Sequence, residues 1–323
     1  MKINPTLAKE LKKADKEASR DGFGKGLLKL GKTNKNVVAL TADLADSTRV
    51  EWFKKEFPDR FIECGVSEQN MAGVAAGLAF TGKIPFACSF SAFNPGRNWE
   101  QIRVSIAYSN ANVKILGSHA GITTGEDGAT HQALEDIATT RCIPNMIVIV
   151  PADSLEATKA TIEAAKTNGP VYIRVSRAKV PMFTTEKTPF KIGKAQIFRE
   201  GKDITIIACG IMTYQALLAA EILEKEGIDA EVINCHTIKP LDKAEIIKSV
   251  KKTKAAVTAE EHQVNGGLFG AISELLSSNN PVPIEPVAVM DTFGESGPAD
   301  ELMKKYGLLA DDIVKAVKKV LGR

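Results

Sequence analysis

The densest chemistry in the 323-residue sequence lies in one segment, Gly117-Ser118-His119-Ala120-Gly121-Ile122-Thr123-Thr124-Gly125-Glu126-Asp127-Gly128-Ala129-Thr130-His131-Gln132. Two histidines and two acids there supply proton donors and acceptors near neutral pH. Its glycines allow tight turns and close backbone approach to a ligand. A second segment, Glu63-Cys64-Gly65-Val66-Ser67-Glu68-Gln69-Asn70-Met71, carries a glutamate past a strand and a glycine into an Ala/Gly-rich helix. Burial at such a place raises a carboxyl pKa, so the group can share a proton at neutral pH. Phe86, Phe90 and Phe93 offer a flat platform for a heterocycle. Each candidate has a plainer reading. The acids of the first segment suit a helix N-terminus with Thr130 as cap, Ser67 with Asn70 suits a capping box, and the three rings suit a core. Histidine density tilts the first segment towards a site. Spacing alone favours the plainer reading of the other two.

The elements that must position these residues alternate along the chain. Apolar runs at 37–40, 61–64, 84–88, 113–116, 146–150 and 171–175 read as strands, and helical patterns fall at 6–31, 70–80, 99–108, 131–140 and 155–166. The alternation pauses at 178–194, where Pro181, Thr184, Thr185, Lys187 and Pro189 cluster, which places a domain boundary between 186 and 187. It resumes with strands at 204–209, 230–233, 255–258 and 284–289, and helices at 214–226, 243–250, 268–276, 299–306 and 310–321. The pattern predicts an α/β protein of two doubly wound, mostly parallel-sheet domains, 1–186 and 187–323. Open sheets of this kind bind ligands beyond the carboxyl ends of their strands, where the Gly117–Gln132 loop falls.

Charge excludes other classes. Lys+Arg 42 against Asp+Glu 39 leaves +3, too little basic excess to displace counterions from a nucleic acid. No apolar run approaches the ~20 residues that span a bilayer. The start Met1-Lys2-Ile3-Asn4-Pro5 has no secretory signal. Cys64, Cys88, Cys142, Cys209 and Cys235 are far apart, with no Cys-x-x-Cys pair or Cys/His cluster. They read as reduced thiols of a cytoplasmic protein that holds no metal through them.

Glu63 to Ala79, Ser89 to Arg103 and Gly117 to Asp136 resemble the pyrimidine-binding domain of transketolase. Ile143-Pro144-Asn145-Met146 and Pro151-Ala152-Asp153 continue the likeness, and Ile238-Lys239-Pro240-Leu241-Asp242 and Thr258-Ala259-Glu260-Glu261-His262 extend it through the second domain. The chain resembles the C-terminal half of a transketolase, or the separate C-terminal subunit of a split one. The resemblance implies thiamine diphosphate chemistry, with a two-carbon unit passed from a ketose phosphate to an aldose phosphate in pentose phosphate metabolism. By the same resemblance Glu68 binds a ring nitrogen of the cofactor's aminopyrimidine, Phe90 and Phe93 pack against that ring, and Asp43 supports it. Asp127 and His131 contact the sugar hydroxyls around the cleaved bond, while Arg20, Ser47, His119 and Arg177 hold the substrate phosphate, a task that suits guanidinium forks. Gly96 stands where the family has an aromatic residue, three positions after Phe93. The family's Gly-Asp-Gly motif, which binds the diphosphate and Mg²⁺, does not occur. The expectation is a partner, an N-terminal subunit that carries the diphosphate domain and Mg²⁺, in an α2β2 assembly. Met1 lies close to where a pyrimidine domain would begin, so the chain reads as a whole subunit. Three other readings stand beside this one: the β subunit of a 2-oxoacid dehydrogenase, a deoxyxylulose phosphate synthase, and a non-catalytic assembly homologue. Against the last, Glu68, Asp127 and His131 are all present.

Overall fold

The computed structural model describes residues 3–8 and 10–322. Met1 and Lys2, where the leaderless start was read, lie outside the described residues. The larger sheet has seven strands in the spatial order Thr237–Lys239, Ile147–Ile149, Val171–Arg174, Lys114–Ser118, Ile84–Phe90, Val37–Thr41, Phe61–Glu63. All but the first run parallel, so all six end at one edge. Side chains alternate across the sheet, and the sequence supplies apolar residues at both parities because both faces are covered. Ala39, Phe86, Leu116 and Ile173 face the helices Ser19–Thr33, Val50–Glu56 and Ser154–Lys166. Their neighbours Leu40, Ala87 and Ile115 face Glu68–Phe80 and the helix from Trp99 to Tyr108, whose second part is π-wound. Ser19–Thr33 and Ser154–Lys166 pack unusually close. A side chain at Gly22 would overlap the Ser154 carbonyl, so only glycine permits this crossing.

The smaller sheet orders its strands Ile284–Val289, Ala256–Gln263, Ile204–Ala208, Ala230–Asn234, Gln196–Arg199, with only the last antiparallel. Met212–Lys225 and Ala310–Val320 cover one face. Lys243–Thr253 and Leu268–Asn279 cover the other, and the core beneath them is continuous with that of the first sheet through Tyr172, Ile207, Ile233 and Cys235. The α/β reading with two sheet domains is what the chain adopts.

Several expectations need correction. The helical pattern at 6–31 is broken: a short 3-10 turn at Leu11–Lys13 and a strand at Lys16–Ala18 precede the helix, which begins at Ser19. Lys16–Ala18 pairs with Lys179–Pro181 across the chain, which no local pattern announces. The helix expected at 131–140 is only Asp136–Arg141. Gly121, Gly125 and Gly128 hold positive φ, so the backbone ahead of it loops instead. Thr237–Lys239, after the expected boundary, joins the first sheet as its antiparallel edge.

Candidate active site

Because the strands are parallel, their carboxyl ends line up in the order Arg174, Ser118, Phe90, Thr41, Glu63. The chain runs to one side of Val37–Thr41 for its next strand and to the other side for the one after. That leaves a switch-point crevice between Thr41 and Phe90. The residues after these ends are Arg177, His119, Phe93, Asp43 and Glu68, so one edge collects most of the sequence candidates. Arg20 joins them from the first turn of Ser19–Thr33.

Glu68 opens its helix at 1% exposure. Arg97 Nη1 donates to its Oε2 at 2.8 Å, whereas Oε1 is buried with no hydrogen-bond partner among the described residues. Ser67 does not cap this helix. Its hydroxyl donates to the Cys64 carbonyl at 2.6 Å. The turn bearing Phe93 and Arg97 is tied down by Asn94, whose amide donates to Ala87 and Leu116 carbonyls on two strands at 3.0 and 2.9 Å. Asn98 Nδ2 in turn donates to Asn94 Oδ1 at 3.0 Å and to the Glu68 carbonyl at 3.1 Å. A side chain at Gly96 would overlap the Ala92 carbonyl. The aromatic the family carries there has no room in this backbone, and the neighbouring Arg97 lies over the Phe93 ring, 4.6 Å from its centroid.

The rings form one cluster. Phe90 stacks on His119 with centroids 3.8 Å apart, Phe93 lies 6.1 Å from Phe90, and His131 sets its edge to Phe93 at 5.4 Å. Phe86 is not part of it. It lies deeper along the strand, wholly buried against Phe23. His131 Nδ1 shares a hydrogen bond of 2.8 Å with Thr130 Oγ1, so Thr130 orients the ring and caps no helix.

Beside the rings lies a cationic group. Arg20 Nη1 donates to the Ser47 carbonyl at 3.0 Å and sits 3.1 Å from His119 Nε2. A guanidinium only donates, so Nε2 accepts and Nδ1–H donates to Ser118 Oγ at 2.9 Å. Burial, reinforced by Arg20, Arg177 and Arg49, pushes His119 down to about 3, so it is neutral at pH 7. Burial, then Arg49, lowers Arg20 as well, and its Nε is a second buried atom without a partner. Arg177 Nη1 donates to the Thr124 carbonyl at 2.7 Å and to Glu126 at 3.2 Å, and lies 3.8 Å from Asp127. Asp43 stands apart, exposed at positive φ with its N–H donating to Glu63 Oε1 at 2.8 Å. The two orphaned atoms, an acceptor at Glu68 and a donor at Arg20, fit a ligand with a heterocyclic N–H and an anionic group. Arg97 went unnoticed in the sequence, although its four-residue spacing from Phe93 within one turn is the signal that pairs them.

The family described as transketolase, pyrimidine binding domain, matches residues 15–182, and that described as transketolase, C-terminal domain, matches 193–313. A protein of Methanocaldococcus jannaschii provisionally named a transketolase C-terminal section is 49% identical over 92% of this chain and 94% of its own length. A 6-deoxy-6-sulfo-D-fructose transketolase subunit from Clostridium sp. (strain MSTE9) is 46% identical over 94% of each. A solved structure described as a split gene transketolase, inactive β4 tetramer, superposes with a TM-score of 0.89 at 48% identity, covering 94% of this chain and 98% of the other.

Proposed function

We propose, from the premise that this chain belongs to the transketolase family, that it is the C-terminal subunit of a split transketolase acting on sugar phosphates. The observation that carries this reading is the orphaned, buried Oε1 of Glu68, whose other oxygen is held by the Arg97 that lies over the Phe93 ring. Thiamine diphosphate, when bound, supplies an acidic thiazolium carbon that adds to a ketose carbonyl and accepts its two-carbon unit. Glu68 holds the aminopyrimidine through Oε1, Phe90 and Phe93 flank it, and Asp43 supports it. Asp127 and His131 orient the sugar hydroxyls at the cleaved bond. Arg20, Ser47, His119 and Arg177 take the phosphate, the two guanidiniums by charge and the neutral imidazole as a hydrogen-bonding group.

The diphosphate and Mg²⁺ belong to an N-terminal subunit, in an α2β2 assembly. The similar chain described as inactive in a β4 tetramer supports that requirement, and so does the relative named as a subunit. Among the described residues no group of three or more His, Cys, Asp or Glu is placed to hold a metal. We place the domain division at 186/187 and the enzyme in the cytoplasm. No helix among the described residues is long and apolar enough to cross a membrane.

The test is to mix the chain with its candidate N-terminal subunit, thiamine diphosphate and Mg²⁺, and assay transfer from xylulose 5-phosphate to ribose 5-phosphate. Activity in the mixture alone, abolished by Glu68→Ala, is the expected result. A mixture that binds cofactor, ignores sugar phosphates and decarboxylates a 2-oxo acid overturns the reading.

A further inference from the structure

The loop that carries His119, Asp127 and His131 is held from the second domain as well as by its own hydrogen bonds. Its first turn is pinned from the second domain: the Thr123 N–H donates to Glu261 Oε1 at 2.6 Å. Glu261 is 3% exposed, and the loop is fitted to it so closely that a side chain at Gly121 would overlap its carboxyl group. The Glu261 carbonyl accepts from Arg174 Nη2 at 2.8 Å, and the same nitrogen donates to Ala133, at the far end of the loop, at 3.3 Å. One residue on from the pinned amide, Thr124 makes two contacts. Its hydroxyl donates to the His119 carbonyl at 2.6 Å, and its own carbonyl accepts from Arg177 at 2.7 Å. The Glu261 carboxylate is therefore one peptide unit from the group that holds both His119 and Arg177.

We propose that Glu261 is a positioning residue. From the second domain it fixes Thr123–Thr124, and through Thr124 it sets the spacing of His119 and Arg177 for the substrate phosphate. The proposal rests on the reading of His119 and Arg177 as phosphate ligands. It gives the second domain a part in substrate selection as well as in assembly. A carboxylate withdrawn by one methylene moves its oxygens by about 1 Å, a displacement that matters where two groups must meet one anion.

The experiment uses the reconstituted two-subunit enzyme with Glu261→Asp and Glu261→Gln. Two reactions are compared: xylulose 5-phosphate with ribose 5-phosphate, and hydroxypyruvate with glycolaldehyde, the second pair free of phosphate. Glu261→Asp keeps the carboxyl group but withdraws the acceptor. It is expected to raise KM for xylulose 5-phosphate by about tenfold with kcat little changed, and to leave the phosphate-free reaction as in the parent. Glu261→Gln keeps an acceptor oxygen at full reach and is expected to restore the parent KM. Equal losses in both reactions, or no loss with xylulose 5-phosphate, overturn the proposal. Hydrogen exchange on the unmodified chain is a second check that needs no variant: fast exchange of the Thr123 amide also overturns it. If the unmodified enzyme turns over neither pair, the functional reading fails, and that outcome is distinct from any result on the Glu261 variants.

Discussion

Arg97 and Glu68 meet from two different turns at the crevice, with Nη1 donating to Oε2 at 2.8 Å, and the arrangement leaves the other carboxylate oxygen unengaged. The guanidinium also rests on the Phe93 ring. It therefore fixes two of the groups read as cofactor contacts, the acid from one side and the aromatic from the other. A carboxylate without this bond would be free to rotate its second oxygen out of line.

Arg97→Leu is accordingly expected to weaken thiamine diphosphate binding by the two-subunit enzyme about tenfold, the equivalent of ~1.5 kcal/mol for one hydrogen bond to a charged group. Arg97→Lys should recover only part, because an ammonium cannot lie flat on the Phe93 ring. Activation of the apoenzyme by titrated cofactor measures this directly. An unaltered half-saturation point in Arg97→Leu would remove Arg97 from the site.

His119 should behave as a neutral ring throughout the working pH range. Burial lowers its pKa first and the surrounding arginines second, to about 3. The chain has only four histidines, so their imidazole NMR signals can be assigned one by one. The His119 signal is expected to stay flat between pH 8 and 5. In Arg20→Ala its midpoint should rise yet remain below 6.5, since burial persists. A midpoint near 6.5 in the parent chain would contradict the geometry around Nε2.

Much of this edge was legible from sequence because parallel strands put successive loops in one place. Once 84–88 and 113–116 read as parallel strands, Phe90, Phe93 and His119 fell at the same sheet edge, and the pairing of those two strands brings them together. What escaped notice depends on contacts distant in sequence. Glu261 lies 138 residues from Thr123, and nothing in Thr258–His262 shows which amide its carboxyl will meet. The expected helix at 131–140 failed for a related reason. Gln132 donates through Nε2 to the Ile122, Gly125 and Glu295 carbonyls, which ties it into the glycine loop ahead of the helix. The Lys16–Ala18 strand was hidden because its partner comes more than 150 residues later.

The far end of the loop supplies a stability test. Arg174 Nε donates to both Asp136 oxygens, at 3.1 and 2.9 Å, and the Tyr172 hydroxyl adds a third bond at 2.8 Å, all out of water. Removing one member strands the other charge, which costs about 3–5 kcal/mol in buried pairs. Asp136→Ala should therefore lower the urea midpoint sharply, with Asp136→Asn less damaging because it still accepts from Tyr172. A loss of unfolding free energy of less than about 1 kcal/mol in Asp136→Ala would show that the pair is solvated.

Gly96 allows a test of whether the family's aromatic could simply be restored. The turn closes so tightly that a Cβ at Gly96 would overlap the Ala92 carbonyl. Gly96→Tyr must open the turn that holds Asn94, Arg97 and Asn98, and overpacking of this kind costs about 1–3 kcal/mol. The variant should show a lower thermal midpoint and weaker cofactor binding together. A gain in either property would mean that the turn has a second, open arrangement of nearly equal energy.

The junction of the two domains carries a carboxyl whose ionisation works against the fold. Glu156 accepts from the Ala152 N–H at 2.6 Å and from Asn234 of the second domain at 2.7 Å. Burial, and then the neighbouring Asp153, push it up to about 8 from an ordinary 4.5. A folded-state value above the unfolded one means that the folded chain holds this proton more tightly. Its contribution to stability is complete below pH 4.5 and is lost as pH rises to about 8. Glu156→Gln cannot ionise, so it escapes that loss, and groups common to both chains cancel in the comparison. Urea unfolding at pH 5 and pH 8 should show the variant gaining on the parent as pH rises, at a limiting slope of about 1.4 kcal/mol per pH unit. A difference that stays constant between the two pH values would mean that Glu156 is already ionised at pH 5 in the folded chain. The contact with Asn234 would then join the domains as a charged hydrogen bond instead of a neutral one.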